Sequence, residues 1–343
     1  KVFTKNPAYW DQDCFLFDTV TIKMVESTDV AFQLYQTGEV DYTDLSESNL
    51  VTINGNENNE FYDYLVEKPA DKYSYQIHFN YNKLLEDGTP DTNWNTAIAN
   101  EARVNAVNPM VCENNFYTMK GLVYTSDGTD YVELVREELG MEKENGETLL
   151  RLDADLAEQY KQQAIEDLTP LGVTFPVTMD YYIAASNQVS LDSANVLAQT
   201  IANSLGDDFM QLSIKTYVSS STQEVLNPHL QSITMNGWGA DYGDPQNYLG
   251  NEVSGNDSAY YSRTQNNIND VEATEATQQL LDTYAEFTSL VEQADAITDD
   301  MDARYAAYAK AEAYMIEHVL TLPVYYNVPW CLTKINPYSK MNA

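Results

Sequence analysis

Residues 236 to 250 (NGWGADYGDPQNYLG) gather glycines, carboxylates and aromatic rings in one short stretch, and three chemistries are open to them. Gly237, Gly239 and Gly243 approach a dinucleotide fingerprint, whose third glycine lets a helix pack close and aim its N-terminus at a pyrophosphate. That third place is Tyr242 here. Gly243-Asp244-Pro245 also breaks any helix start, and Asp241 and Asp244 repel phosphate, so this reading fails. Asp241 to Glu252 runs acid to acid over twelve residues, like a calcium loop. Such a loop needs an oxygen ligand at its third position and glycine at its sixth. Those places hold Gly243 and Gln246, with Pro245 at the fifth, and this reading fails too. The third chemistry is capture of an amine. Asp241 follows a strand that ends in Gly237-Trp238-Gly239, where ligands of open α/β sheets bind. A carboxylate shielded there by indole and tyrosine can pair with a ligand ammonium. The plainer alternative makes Asp241 a turn residue and Trp238 part of the core.

Other reactive groups organise less well. His78, His229 and His318 are isolated, with no HExxH spacing, so no metal site is expected. Cys14, Cys112 and Cys331 allow at most one internal disulfide, and buried thiols are the equal alternative. Carboxylates abound, and glycosidases use two of them, but no nucleophile–base pair stands out and an enzyme is not expected. The chain carries 53 acidic and 18 basic residues, a net charge of −35. That surface repels phosphate backbones and anionic lipid, so nucleic acid is not an expected partner.

The elements that must position these groups alternate along the chain. VTIKMV (20–25) reads as a strand, DVAFQLYQT (29–37) as a helix stopped by Gly38, and GEVDYTDL as a further strand. Together they predict a βαβ unit over 20–45, and so an α/β layer. SYQIHFNYN (74–82) alternates Tyr75, Ile77, Phe79 and Tyr81 as a strand. Helices are expected over 93–107, before Gly140, over 153–168 and over 191–205, with strands at 177–184, 210–218 and 232–238. Helices at 274–293 and 301–318 precede a strand at 320–328.

These residues carry a resemblance. KNPAYWD (5–11), TGEVDY (37–42), GWGADYGDPQNYL (237–249) and AYAKAEAYMIEHVLTLPVYYN (307–327) follow one another as in the family 5 solute-binding proteins, the peptide receptors of ABC importers. The most specific piece is W-x-A-D-Y-x-D-P, from Trp238 to Pro245. The resemblance spans nearly the whole chain. It implies an α/β, two-lobed periplasmic-binding-protein-like fold of the large peptide-binding type that closes over a peptide. It implies that Asp241 holds the peptide α-amino group while Trp238 and Gly239 line the pocket. Tyr242, Met235 and Tyr325 complete the candidate ligand-binding set. It also implies an extracytoplasmic protein, periplasmic or a cell-surface lipoprotein. Such a protein works as a monomer, hands peptide to ABC permease subunits, and meets the membrane only through a lipid anchor on an N-terminal portion absent here.

The chain is expected to enter the family pattern mid-lobe. Residues 1–82 and 322–343 are assigned to the carboxyl part of lobe one, and 83–321 to lobe two with the ligand motif. Hinge strands are expected near Asn80–Asn82 and Pro323–Asn327. Met235 stands where oligopeptide receptors often carry an arginine, and STQEVLNPHLQ (221–231) holds no lysine or arginine. No cation is therefore expected near the motif to meet a ligand carboxylate. A receptor for a sugar or metal complex is the alternative ligand class, and a carboxylate-based hydrolase a more distant one.

Overall fold

The computed structural model describes residues 1–335 except 12, 14, 15, 71, 103–115, 142, 145, 146, 149–153 and 327. Cys14, Cys112, Asn327 and residues 103–107 of the helix expected over 93–107 lie outside the described residues; the described part of that helix ends at Ile98. The chain divides into two compact units: residues 1–71 with 327–343, and Lys72–Tyr326.

The first unit begins with an exposed two-stranded ribbon, β1 (Val2–Thr4) against β2 (Thr19–Thr21). α1 (Thr28–Gln36) follows, capped by Ser27, whose hydroxyl accepts the Val30 N–H. β3 (Tyr42–Asp44), α2 (Glu47–Asn54) and β4 (Leu65–Glu67) complete the early part. The βαβ unit expected over 20–45 does not form. β2 pairs with β1, whereas β3 lies in a separate antiparallel sheet. The cause is long-range pairing: a strand near the chain end supplies the partner that β3 would have sought in β2. That strand, β12 (Trp330–Thr333), closes a small core of Tyr35, Ile53 and Leu332.

The second unit holds β5 (Tyr73–Phe79), α3 (Thr92–Ile98) and α4 (Tyr131–Glu138). A short ladder of β6 (Lys143–Glu144) and β7 (Glu147–Thr148) precedes α5 (Ala154–Leu168). Then come β8 (Val177–Ala184), α6 (Gln188–Leu205), β9 (Met210–Tyr217) and β10 (Ile233–Gly239). Short helices α7 (Gln246–Leu249) and α8 (Tyr260–Thr264) lead to α9 (Gln278–Asp295) and α10 (Met301–Glu317). β11 (Thr321–Tyr326) ends this unit, and β12 (Trp330–Thr333) returns the chain to the first.

Five strands form one mixed sheet in the order β11-β5-β10-β8-β9. The α/β character expected from the sequence sits here: β8 and β9 are parallel with α6 as their crossover, and β10 is parallel to β8. β5 lies between β11 and β10, antiparallel to both. β5 and β11 belong to the second unit's sheet, and the compact units part at 71/72 and 326/327.

The β5 pattern shows why the sheet is buried. Tyr75, Ile77 and Phe79 face one way, and Ser74, Gln76 and His78 the other, yet all three polar side chains are buried. The segment around α8 supplies polar partners on that side, with Thr234 Oγ1 donating to Gln265 Oε1 at 2.6 Å. One buried ion cluster ties the sheet to its first connection. Lys83 Nζ lies 2.7 Å from Asp91 Oδ2 and 2.8 Å from Asp180 Oδ2, and Lys215 Nζ stands 3.2 Å from the same Asp180 oxygen.

Candidate functional site

The carboxyl end of β10 carries the motif, and antiparallel pairing with β5 dictates what surrounds it. Met235 lies opposite Ile77, Gly237 opposite Tyr75, Trp238 opposite Ser74 and Gly239 opposite Tyr73. With a side-chain period of two, Met235, Gly237 and Gly239 face one side of the sheet and Trp238 the other. The six candidate residues therefore separate into three places.

The glycine side is occupied by β5 and its neighbour. A Cβ on Gly237 would stand 2.7 Å from the Tyr75 ring, and one on Gly239 would stand 2.9 Å from Lys72 Cγ and 3.1 Å from Tyr73 Cζ. The glycines, by lacking a side chain, admit these neighbours. Tyr325 joins on this side, its ring stacked on Tyr75 with centroids 4.7 Å apart and planes 12° apart. A bulge between Pro323 and Tyr325 makes the contact, because it sets Tyr325 rather than Val324 opposite Tyr75.

Trp238 packs on the opposite side, edge-on to Tyr261 (6.0 Å) and tilted against Tyr260 (5.7 Å). Behind it the Tyr261 ring lies 4.1 Å from His78. His78 Nδ1 stands 3.0 Å from Glu252 Oε1, which also accepts the Tyr117 hydroxyl at 3.0 Å. Asn266 Nδ2 donates to Glu252 Oε2 at 3.0 Å. Burial together with the Glu252 charge pushes the Tyr117 and Tyr261 phenols far above their ordinary range. A fully buried polar set thus backs the indole and holds its wall in place.

The third place is the turn after β10. Asp241 and Tyr242 are both exposed, where the sequence suggested a carboxylate shielded by indole and tyrosine. Asn247, which sequence reasoning missed, organises the turn: its Oδ1 accepts the Trp238 indole N–H at 3.0 Å and the Asp241 backbone N–H at 2.9 Å. The available signal was an amide side chain just after a proline-led turn. The Tyr242 hydroxyl donates to Gln246 Oε1 at 2.5 Å.

The two acids of the motif differ in what they meet. Asp244 accepts the Gln246 N–H and receives Arg304 through Nε at 3.0 Å and Nη2 at 3.3 Å. Arg304 also donates to the carbonyls of Ala294, Asp295 and Ile297 at the end of α9. The Asp241 carboxylate accepts no hydrogen bond and forms no ion pair among the described residues. Two cations stand near the motif: Arg304, already committed to Asp244, and Lys72, whose stem crosses Gly239 and which was not foreseen as a group able to meet a ligand carboxylate. Both residues are distant in sequence and reach the motif only through the fold.

Residues 1–260 match the family model described as bacterial extracellular solute-binding proteins, family 5, middle region. The chain belongs to that family.

Its similarity to oligopeptide-binding proteins runs along nearly its whole length. It is 24% identical over 388 aligned positions to the oligopeptide-binding protein SarA of Streptococcus gordonii, covering 98% of this chain and 56% of that protein. It is 22% identical over 358 positions to the oligopeptide-binding protein AliB of Streptococcus pneumoniae, covering 94% and 54%. The chain thus spans little more than half the length of these relatives. Among solved structures, peptide-bound OppA of Listeria monocytogenes superposes with a TM-score of 0.63 at 18% identity, over 97% of this chain and 57% of that one. The substrate-binding domain of an oligopeptide ABC transporter from Bacillus anthracis gives 0.62 at 17%, over 97% and 57%. The fold is therefore the α/β periplasmic-binding-protein type expected from the sequence. No helix among the described residues is long and apolar enough to cross a membrane.

Proposed function

We propose that this chain is the ligand-holding part of an extracytoplasmic receptor that captures peptides and delivers them to an ABC importer. The oligopeptide-binding relatives support the ligand class. The single observation that carries the reading is the Asp241 carboxylate. It is unpartnered among the described residues, stands at the carboxyl end of β10, and its backbone is fixed by Asn247. Its neighbour Asp244 is already committed to Arg304. An acid held in place without a cation offers its charge to a ligand ammonium. Gly239, Trp238 and Tyr242 neighbour Asp241 along the chain, while Met235 and Tyr325 lie further along the glycine side. The receptor works outside the cytoplasm as a monomer, periplasmic or held by a lipid anchor, passes its cargo to permease subunits, and binds without turnover.

Calorimetric titration of a peptide and its N-acetylated form tests this. Acetylation removes the ammonium and is expected to abolish most of the affinity. Asp241→Asn is expected to cost about 2–5 kcal/mol once the complex buries the pair. Equal binding of both peptides, with wild-type affinity in Asp241→Asn, would make the acid a turn residue only.

A further inference from the structure

One strand end brings opposite charges close without pairing them. Gly239 and Tyr73 are the last partners of β10 and β5. Lys72 directly precedes Tyr73 and lies across Gly239, and Asp241 stands two residues beyond that glycine. Lys72 forms no ion pair with any described carboxylate. Lys83, Lys161, Lys215 and Arg304 of the same unit are all paired with carboxylates.

The lysine is also held. Its stem crosses β10 where Gly239 lacks a side chain, since a Cβ there would come 2.9 Å from Lys72 Cγ and 3.1 Å from Cε. Its carbonyl accepts the hydroxyl of the buried Tyr248 at 2.9 Å, which anchors the backbone. Its ammonium stands 5.7 Å over the Tyr73 ring. Tyr73 lies 6.3 Å from Tyr75, and Tyr75 stacks on Tyr325, so the cation heads a row of three tyrosines.

We propose that Lys72 is a specificity-determining residue that selects peptides whose first residue is acidic, with Asp241 taking the α-ammonium and Lys72 the side-chain carboxylate. This rests on the peptide-receptor reading of Asp241. The compact, strongly hydrated ammonium of lysine on a flexible stem suits a single carboxylate without demanding planar geometry.

Alanine pentapeptides beginning with Asp or Asn, titrated into wild type, Lys72→Met, Lys72→Arg and Asp241→Asn, test the proposal. Met keeps the stem over Gly239 and removes the charge. Wild type is expected to bind the Asp peptide about fivefold more tightly than the Asn peptide, as for a partly shielded ion pair. Lys72→Met should erase that ratio while leaving the Asn peptide within about twofold of wild type, and Lys72→Arg should keep the preference. An unchanged ratio in Lys72→Met, or an equal loss for both peptides, overturns the role. Tighter binding of both peptides by Lys72→Met also overturns it, and shows that the lysine screens Asp241 instead. If Asp241→Asn binds both peptides like wild type, or no peptide binds any form, the underlying reading fails and the proposal falls with it.

Discussion

Asp241 and Asp244 stand three residues apart in one turn and meet different surroundings, because Arg304 reaches only the second. Gly237 shows the same dependence on distant partners. Its missing side chain makes room for Tyr75, whose ring is itself held by Tyr325. Gly237→Ala would set a methyl group 2.7–2.8 Å from that ring and is expected to lower stability by roughly 1–3 kcal/mol. Gly243→Ala is the matched control, since its nearest neighbour would lie 3.6 Å away. Urea unfolding of both variants checks this, and an unchanged midpoint for Gly237→Ala would mean that Tyr75 swings aside freely. The types of these residues were legible in the sequence: glycine for close approach, a carboxylate past a strand end, an indole beside it. Their partners were not. Tyr75, Lys72 and Arg304 are far from 236–250 in sequence, and no local pattern encodes which strand will pair with which. Nor could spacing alone show that Trp238 turns away from Met235 until the register with β5 was known.

At the level of elements, the helices followed their apolar spacing closely. Leu280, Tyr284, Phe287 and Val291 line the buried stripe of α9. The strand–helix–strand pattern over 20–45 misled, because local order cannot rule out a partner from the far end of the chain. α10 contains a residue that its charge would assign to solvent, although its spacing from Tyr305, Tyr308 and Met315 puts it on the buried face. Glu312 is fully buried and accepts the backbone N–H groups of Tyr117 and Thr118 (2.8 and 2.9 Å) and the hydroxyls of Thr118 and Tyr131 (2.6 and 3.1 Å). It pins α10 to α4 and to the segment before it. Glu312→Ala would strand four donors and is expected to cost about 3–5 kcal/mol. Glu312→Gln keeps an acceptor and should cost less. Burial raises the Glu312 pKa above 4.5, against the pull of its donors. The folded state therefore takes up its proton more readily than the unfolded chain. The resulting stabilisation is complete below about pH 4.5 and fades as pH rises through the raised value. Chemical denaturation across pH should show wild type gaining on Glu312→Gln as the medium becomes more acidic. A gap that narrows instead would contradict the raised pKa.

Across the whole molecule, charge is the dominant long-range fact, and the composition alone revealed it. A net charge of −35 repels itself in the compact state. Raising ionic strength from about 0.01 M to 0.15 M shortens the screening length from about 30 Å to about 8 Å. The melting temperature is expected to rise by several degrees over that range, as scanning calorimetry can measure. A fall would mean that pairs such as Lys83–Asp180 and Arg304–Asp244 outweigh the repulsion.

The small sheet of the first unit has the order β3-β12-β4, with its middle strand drawn from the far end of the chain. On the ribosome, β3 and β4 emerge early and must wait for β12. At about 5–20 residues per second that delay is on the order of tens of seconds. The second unit has all its strands by residue 326 and can condense first. The first unit is then completed last, from two stretches of this sequence that lie on either side of the second unit. Until that moment β3 and β4 present unpaired edges, the state most open to chaperones and proteases.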